Sequence, residues 1–186
     1  MTRTLFAAFT ALILGLAACN PMGENQNAEV DTQDTIEIWL AELNEIDSSL
    51  LADETMNPEK GWTAFNAFRN FARKNPAHSL APTYHMKAAA IARNIPGKAL
   101  MAIEEYSEVY KNYPQDTLAP QAQFLVGFTF DQALNDGPRA RKAYVAFVEA
   151  WPNHPLAAQA KDLIAIIDNT GTDLDQVKAW EKNQGQ

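Results

Sequence analysis

Cysteine is almost missing from this chain: Cys19 is the only one in 186 residues, so no internal disulfide can hold the fold. Long apolar runs are missing too, since no stretch approaches the about 20 residues that a membrane-spanning helix needs. Basic residues are outnumbered, 15 Lys and Arg against 23 Asp and Glu, for a formal net charge of −8. That balance disfavours nucleic acid as a partner and polybasic attraction to anionic lipid. There is no Gly-rich phosphate loop, no G-x-S-x-G elbow and no second thiol, and no segment alternates convincingly as a strand. The residues therefore suggest no catalytic centre and call for no cofactor.

What is present begins at the N-terminus. A short n-region with Arg3, an apolar stretch from Leu5 to Leu16 and the string Leu16-Ala17-Ala18-Cys19 follow the three-part layout of a secretory signal. Together they resemble a bacterial lipoprotein signal. In that family residues 1–18 are removed and the cysteine thiol carries diacylglycerol, so Cys19 is the expected lipidation site and the link to a membrane. An ordinary cleaved signal, with Cys19 lying near the cut, is the alternative. Removal of Met1 to Ala18 takes away only Arg3, moving the charge from −8 to −9. Asn20, rather than Asp, after the cysteine fits the outer membrane, facing the periplasm, in bacteria that use an aspartate retention rule.

Residues 19–34 lack apolar periodicity and contain Pro21 and Gly23, which predicts a flexible tether reaching on the order of 20 Å. Residues 35–182 suit one compact domain, followed by a short tail, 183–186.

That domain repeats itself every 38 residues. Pro76 to Pro82, Pro114 to Pro120 and Pro152 to Ala158 align without a gap. Twelve residues before each proline stand Ala64, Ala102 and Ala140; eight before stand Phe68, Tyr106 and Tyr144; five before stand Phe71, Val109 and Phe147. Those spacings fall on one helical stripe. Ala89, Gly127 and Ala165, thirteen residues after each proline, are small enough for two helices to approach closely.

The pattern predicts an all-α solenoid of helix-turn-helix units, with helices near 35–52, 58–74, 79–93, 98–112, 117–134, 138–150, 155–168 and 172–182. Asn94 to Gly97, Asn135 to Pro138 and Asn169 to Gly171 carry turn chemistry. Trp39, Leu43 and Ile46 would cap one end of the stack, and Leu174, Val177 and Trp180 the other.

These positions resemble the tetratricopeptide repeat, whose usual period is 34 residues. The four extra residues add about one helical turn and preserve the buried face. The longer unit is similar to repeats in envelope lipoproteins of the BamD type and in the periplasmic coordinator of the Tol-Pal system. The resemblance implies a non-enzymatic scaffold that binds an envelope protein or peptide, in outer-membrane protein assembly or envelope organisation. An accessory lipoprotein holding a small ligand or glycan remains the alternative. Mapped from the small-residue landmark, the groove positions are Met86, Ala90, Arg93 and Asn94, then Gln121, Phe124, Phe128, Asp131 and Gln132. Met86, Phe124 and Phe128 would form an apolar anchor if exposed, and core if packed against neighbouring helices.

Other clusters read more plainly. His78, Asp116 and His154 share one repeat position and suit helix starts better than a metal, and His85 has Ala89, not a ligand, at i+4. Glu104 and Glu105 point about 100° apart on a helix, so they are expected on a solvated surface. Arg139, Arg141 and Lys142 suit a solubilising face better than a headgroup site.

Overall fold

A computed structural model describes residues 26–52 and 57–184, with side chains described for 34–52 and 57–170. Among the described residues there are seven helices and no strands: α1 (Gln26–Ala52), α2 (Pro58–Lys74), α3 (Ala81–Asn94), α4 (Ala99–Asn112), α5 (Ala119–Gln132), α6 (Gly137–Ala150) and α7 (Leu156–Gln184). The chain divides into a unit ending at Glu37, of which the described part is the opening of α1, and a unit from Ile38 onward. In the second unit each helix from α2 to α7 packs against the next, an α-solenoid of helical hairpins.

The repeat is visible in the backbone. After each of α2, α4 and α6 the same two turn hydrogen bonds recur: His78 N–H to Asn75 O and Ala81 N–H to His78 O, Asp116 to Tyr113 and Ala119 to Asp116, His154 to Trp151 and Ala157 to His154. The shared residue also serves the turn with its side chain. His78 Nδ1, Asp116 Oδ1 and His154 Nδ1 accept from the N–H of Leu80, Leu118 and Leu156 at 3.1, 2.8 and 3.2 Å. This is a side chain bonding backbone two residues on, so α3, α5 and α7 start one to two residues later than the pattern predicts. His78 and His154 also meet Phe71 and Phe147 edge-on, whereas Asp116 follows a repeat with Val109 at the facing position.

The predicted stripe is the core. Ala64, Ala102 and Ala140, with Phe68, Tyr106, Tyr144, Phe71, Val109 and Phe147, are all buried. Gly127 permits a close approach of α5 and α6: a Cβ there would stand 2.7 Å from the Tyr144 ring. Ala89 is buried as expected, but Ala165 is exposed. Its expected partner, a separate last helix, is instead a continuation of α7. Asn169-Thr170-Gly171 does not break that helix; no residue there takes a positive φ, and Thr170 Oγ1 donates back to Ile166 O. A single helical glycine costs only about 1 kcal/mol, less than starting a new helix. The expected cap residues Leu174, Val177 and Trp180 lie outside the described side chains.

The other two breaks form. Ile95-Pro96-Gly97-Lys98 closes with Lys98 N–H to Ile95 O at 3.0 Å and Gly97 at φ 76°, as proline followed by glycine favours. Asn135 takes φ 49° after α5, and Asp136 then caps α6 by accepting from Arg139 N–H at 3.0 Å. Asn57 caps α2 in the same manner, with Pro58 at the first helical position.

α1 starts at Gln26, ahead of the predicted Thr35. Residues 26–34 contain no Gly or Pro, and extending a helix costs less than nucleating one. Cys19 and the signal-like segment lie outside the described residues. Further along α1, Leu43 is buried, Trp39 meets Phe71 edge-on with centroids 5.6 Å apart, and Asp47 accepts from Lys87 of α3. Among the described residues no helix is long and apolar enough to cross a membrane.

Candidate functional site

The groove proposed from the pattern does not assemble around an apolar anchor. Phe124 is 5% exposed and packs on Tyr144 and Phe147, with centroids 5.5 and 5.6 Å away. It is core, because α5 turns this residue toward α6 rather than to solvent. Phe128 is partly buried beneath the Arg93 guanidinium, and Met86 is partly buried. Asn94, Gln121 and Gln132 are exposed, and Gln132 donates to Asp131. What remains is a polar surface with one cation-capped ring. The basic group of α6 is committed locally: Arg139 pairs with Asp136, and Arg141 forms a two-bond pair with Asp168 of α7.

The residue the sequence pattern misplaces is Glu105. It is fully buried, not solvated. From α4 its Oε1 accepts from Arg69 Nε at 2.7 Å and from an Arg73 terminal nitrogen at 2.9 Å, both on α2. Its Oε2 meets His85 Nδ1 of α3 at 2.7 Å. Glu104, half exposed, accepts from the same two arginines at the rim. One carboxylate thus ties three successive helices together. Burial pushes the Glu105 carboxyl up, but the His85 hydrogen bond, the Arg73 and His85 charges and the Arg69 hydrogen bond outweigh it and hold the group below its ordinary value.

A sequence signal for this existed. Glu105 aligns with Ala67 and Ala143 in the neighbouring repeats, beside the buried aromatic of each stripe. A charged residue at a small, inward-facing repeat position needs partners, and the arginines of α2, one repeat back, supply them.

The cluster lies behind an open pocket of about 300 Å³ lined by Ala72, Arg73, Pro76, His85, Glu108, Asn112 and Tyr113. A second open pocket, about 600 Å³, shares Pro76, Asn112 and Tyr113 and runs along the two proline turns past His78, Pro114 and Asp116. Tyr113 stands between them, its hydroxyl donating to Pro76 O at 3.0 Å. Among the described residues no group of three or more His, Cys, Asp or Glu could hold a metal ion.

The next repeat builds the same place differently. His85 corresponds to Gln123, Tyr113 to Trp151, Glu105 to Ala143 and Glu108 to Ala146. There Trp151 Nε1 donates to Gln123 Oε1 at 2.8 Å, so the two residues satisfy each other. No protein-family model matches the chain, and no curated protein matches it significantly.

Proposed function

We propose that this protein is a non-enzymatic helical-repeat adaptor, held to the bacterial envelope by lipid on Cys19 and binding a segment of another envelope protein. The observation that carries the reading is the character of the body: stacked helical hairpins whose pockets are open to solvent and lie on inter-repeat edges. Such surfaces suit an extended segment of a partner, whereas a small ligand is usually held in an enclosed site. The 38-residue repeat and the signal-like N-terminus support placement among envelope lipoproteins of the BamD or Tol-Pal coordinator type, with a role in outer-membrane protein assembly or envelope organisation.

Crosslinking in intact cells followed by affinity capture tests the adaptor role. A specific envelope protein recovered with the wild type is the expected result; recovery of a glycan or small ligand alone would overturn it. The anchor is tested separately: Cys19→Ala should move the protein from the membrane to the soluble periplasmic fraction.

A further inference from the structure

The pocket beside Glu105 has a feature that the adaptor role by itself does not require. His85 is 97% buried, being 3% exposed, yet it lines the pocket. Its Nδ1 is turned inward to Glu105, and Nε2, on the ring's other side, has no hydrogen-bond partner among the described residues. A ring nitrogen that solvent can reach and that has no protein partner, at the wall of an open pocket, can accept from a ligand. In its neutral form the imidazole donates Nδ1–H to Glu105 and keeps a lone pair at Nε2, so the partner must be a donor.

The rest of the wall matches a cationic donor. Glu108 presents a carboxylate whose Oε2 accepts from Asn112 Nδ2, leaving Oε1 for a ligand. The two arginines are already spent on Glu104 and Glu105. With Glu108 included, these five charged groups sum to one negative charge. The Tyr113 ring, 6.2 Å from His85, adds a face suited to a cation. The equivalent position in the next repeat keeps an aromatic ring, Trp151, but lacks both acceptors, with Gln123 satisfied by Trp151 and Ala146 in place of Glu108.

We propose that this pocket binds the side-chain ammonium of a lysine in a partner polypeptide, with His85 Nε2 and Glu108 as acceptors and Tyr113 as the ring it lies against. The apolar turn surface of Pro76, Pro82 and Pro114 in the adjoining pocket takes the flanking peptide. This deepens the adaptor reading by naming the group recognised, and rests on it only for the ligand's being part of a protein.

The test is an NMR titration of the full chain in detergent micelles with Nα-acetyl-lysine N-methylamide, read at the His85 ring nitrogens and the Tyr113 ring protons. A saturable shift is expected with the lysine probe and none with the norleucine compound, which keeps the aliphatic stem but lacks the ammonium, or with acetate. Glu108→Gln should weaken lysine binding about tenfold, the loss of one hydrogen bond to a charged group. Tyr113→Leu, away from the buried cluster, should weaken it by a smaller factor. No saturable shift with lysine, an equal shift with norleucine or acetate, or equal binding of glycinamide would each overturn the assignment. Partner capture can still succeed in those cases, so failure of the pocket and failure of the adaptor role are distinguishable.

Discussion

Two seams of the same solenoid solve one packing problem in opposite ways. Between α2, α3 and α4 a buried carboxylate gathers two arginines and a histidine; one repeat later, between α4, α5 and α6, the matching positions hold Ala143, Gln123 and Trp151, beside the packed rings of Phe124, Tyr144 and Phe147. The repeat backbone is common to both, down to the hydrogen bonds of the proline turns. The difference therefore lies in side chains alone. An apolar seam needs only close packing to be stable. An ionic one must regain the cost of desolvating its charges, and well-packed apolar replacements are often as stable. Polarity in the first seam is thus better explained by what it presents to the pocket than by what it adds to the fold.

The largest effect should come from breaking the ionic seam at its centre. Glu105→Ala leaves the His85 N–H without its acceptor and the Arg69 and Arg73 charges with only the half-exposed Glu104. A loss of about 3 kcal/mol in urea unfolding is expected, the usual scale for removing one partner of a buried ion pair. The apolar seam should respond most to crowding. Gly127→Ala places a methyl 2.7 Å from the Tyr144 ring, and the resulting strain, about 1–3 kcal/mol, should exceed the helix-propensity gain of up to about 1 kcal/mol. A normal or raised urea midpoint would show that the ring moves aside freely.

A smaller effect of opposite sign is expected one atom further along. The Tyr144 hydroxyl is buried with no hydrogen-bond partner among the described residues, and burial pushes its ionisation well above the ordinary phenol range. Tyr144→Phe should therefore be neutral or stabilising by up to about 1 kcal/mol, since it removes an unpaired polar group. At the outer surface, Asp168→Asn breaks an exposed pair with Arg141 and should leave the unfolding midpoint unchanged.

The seams should also separate under acid. Because Glu105 has a lower pKa folded than its ordinary 4.5, the unfolded chain takes up its proton first as pH falls. The stability it contributes is full above that value and is lost as pH drops through the lower folded one. Hydrogen exchange below about pH 4.5 should therefore open amides of α2 to α4 before those of α5 and α6. Simultaneous loss of protection in both seams would remove Glu105 as the acid-sensitive element.

Much of this fold was legible because its signals are local and repeated. The small-large-large stripe, the proline turns and the Pro-Gly and Asn-Asp-Gly punctuation each carry their own physical requirement, and three copies in register reinforce it. Two kinds of feature were not legible. Asn169-Thr170-Gly171 has turn composition, but helix continuation outweighs that weak local preference in α7. Residue type and neighbours put Glu105 with Glu104 on a surface and leave Phe124 open between groove and core. Their places depend on which helix lies opposite, and for Glu105 the partners Arg69 and Arg73 are over thirty residues away. The departure from Ala at Glu105's repeat position was the one local trace of that arrangement.

The most direct test of the account copies the second kind of seam into the first. Replacing Arg69, Arg73, His85, Glu105, Glu108 and Tyr113 with their counterparts one repeat later, as R69S, R73K, H85Q, E105A, E108A and Y113W together, removes the buried carboxylate with its histidine and arginines and both acceptors of the pocket. Urea unfolding and lysine-probe titration would be measured on this variant beside Glu105→Ala. The account predicts that most of the stability lost in Glu105→Ala returns while lysine binding is abolished. A variant as unstable as Glu105→Ala, or one that still binds the lysine probe, would contradict it.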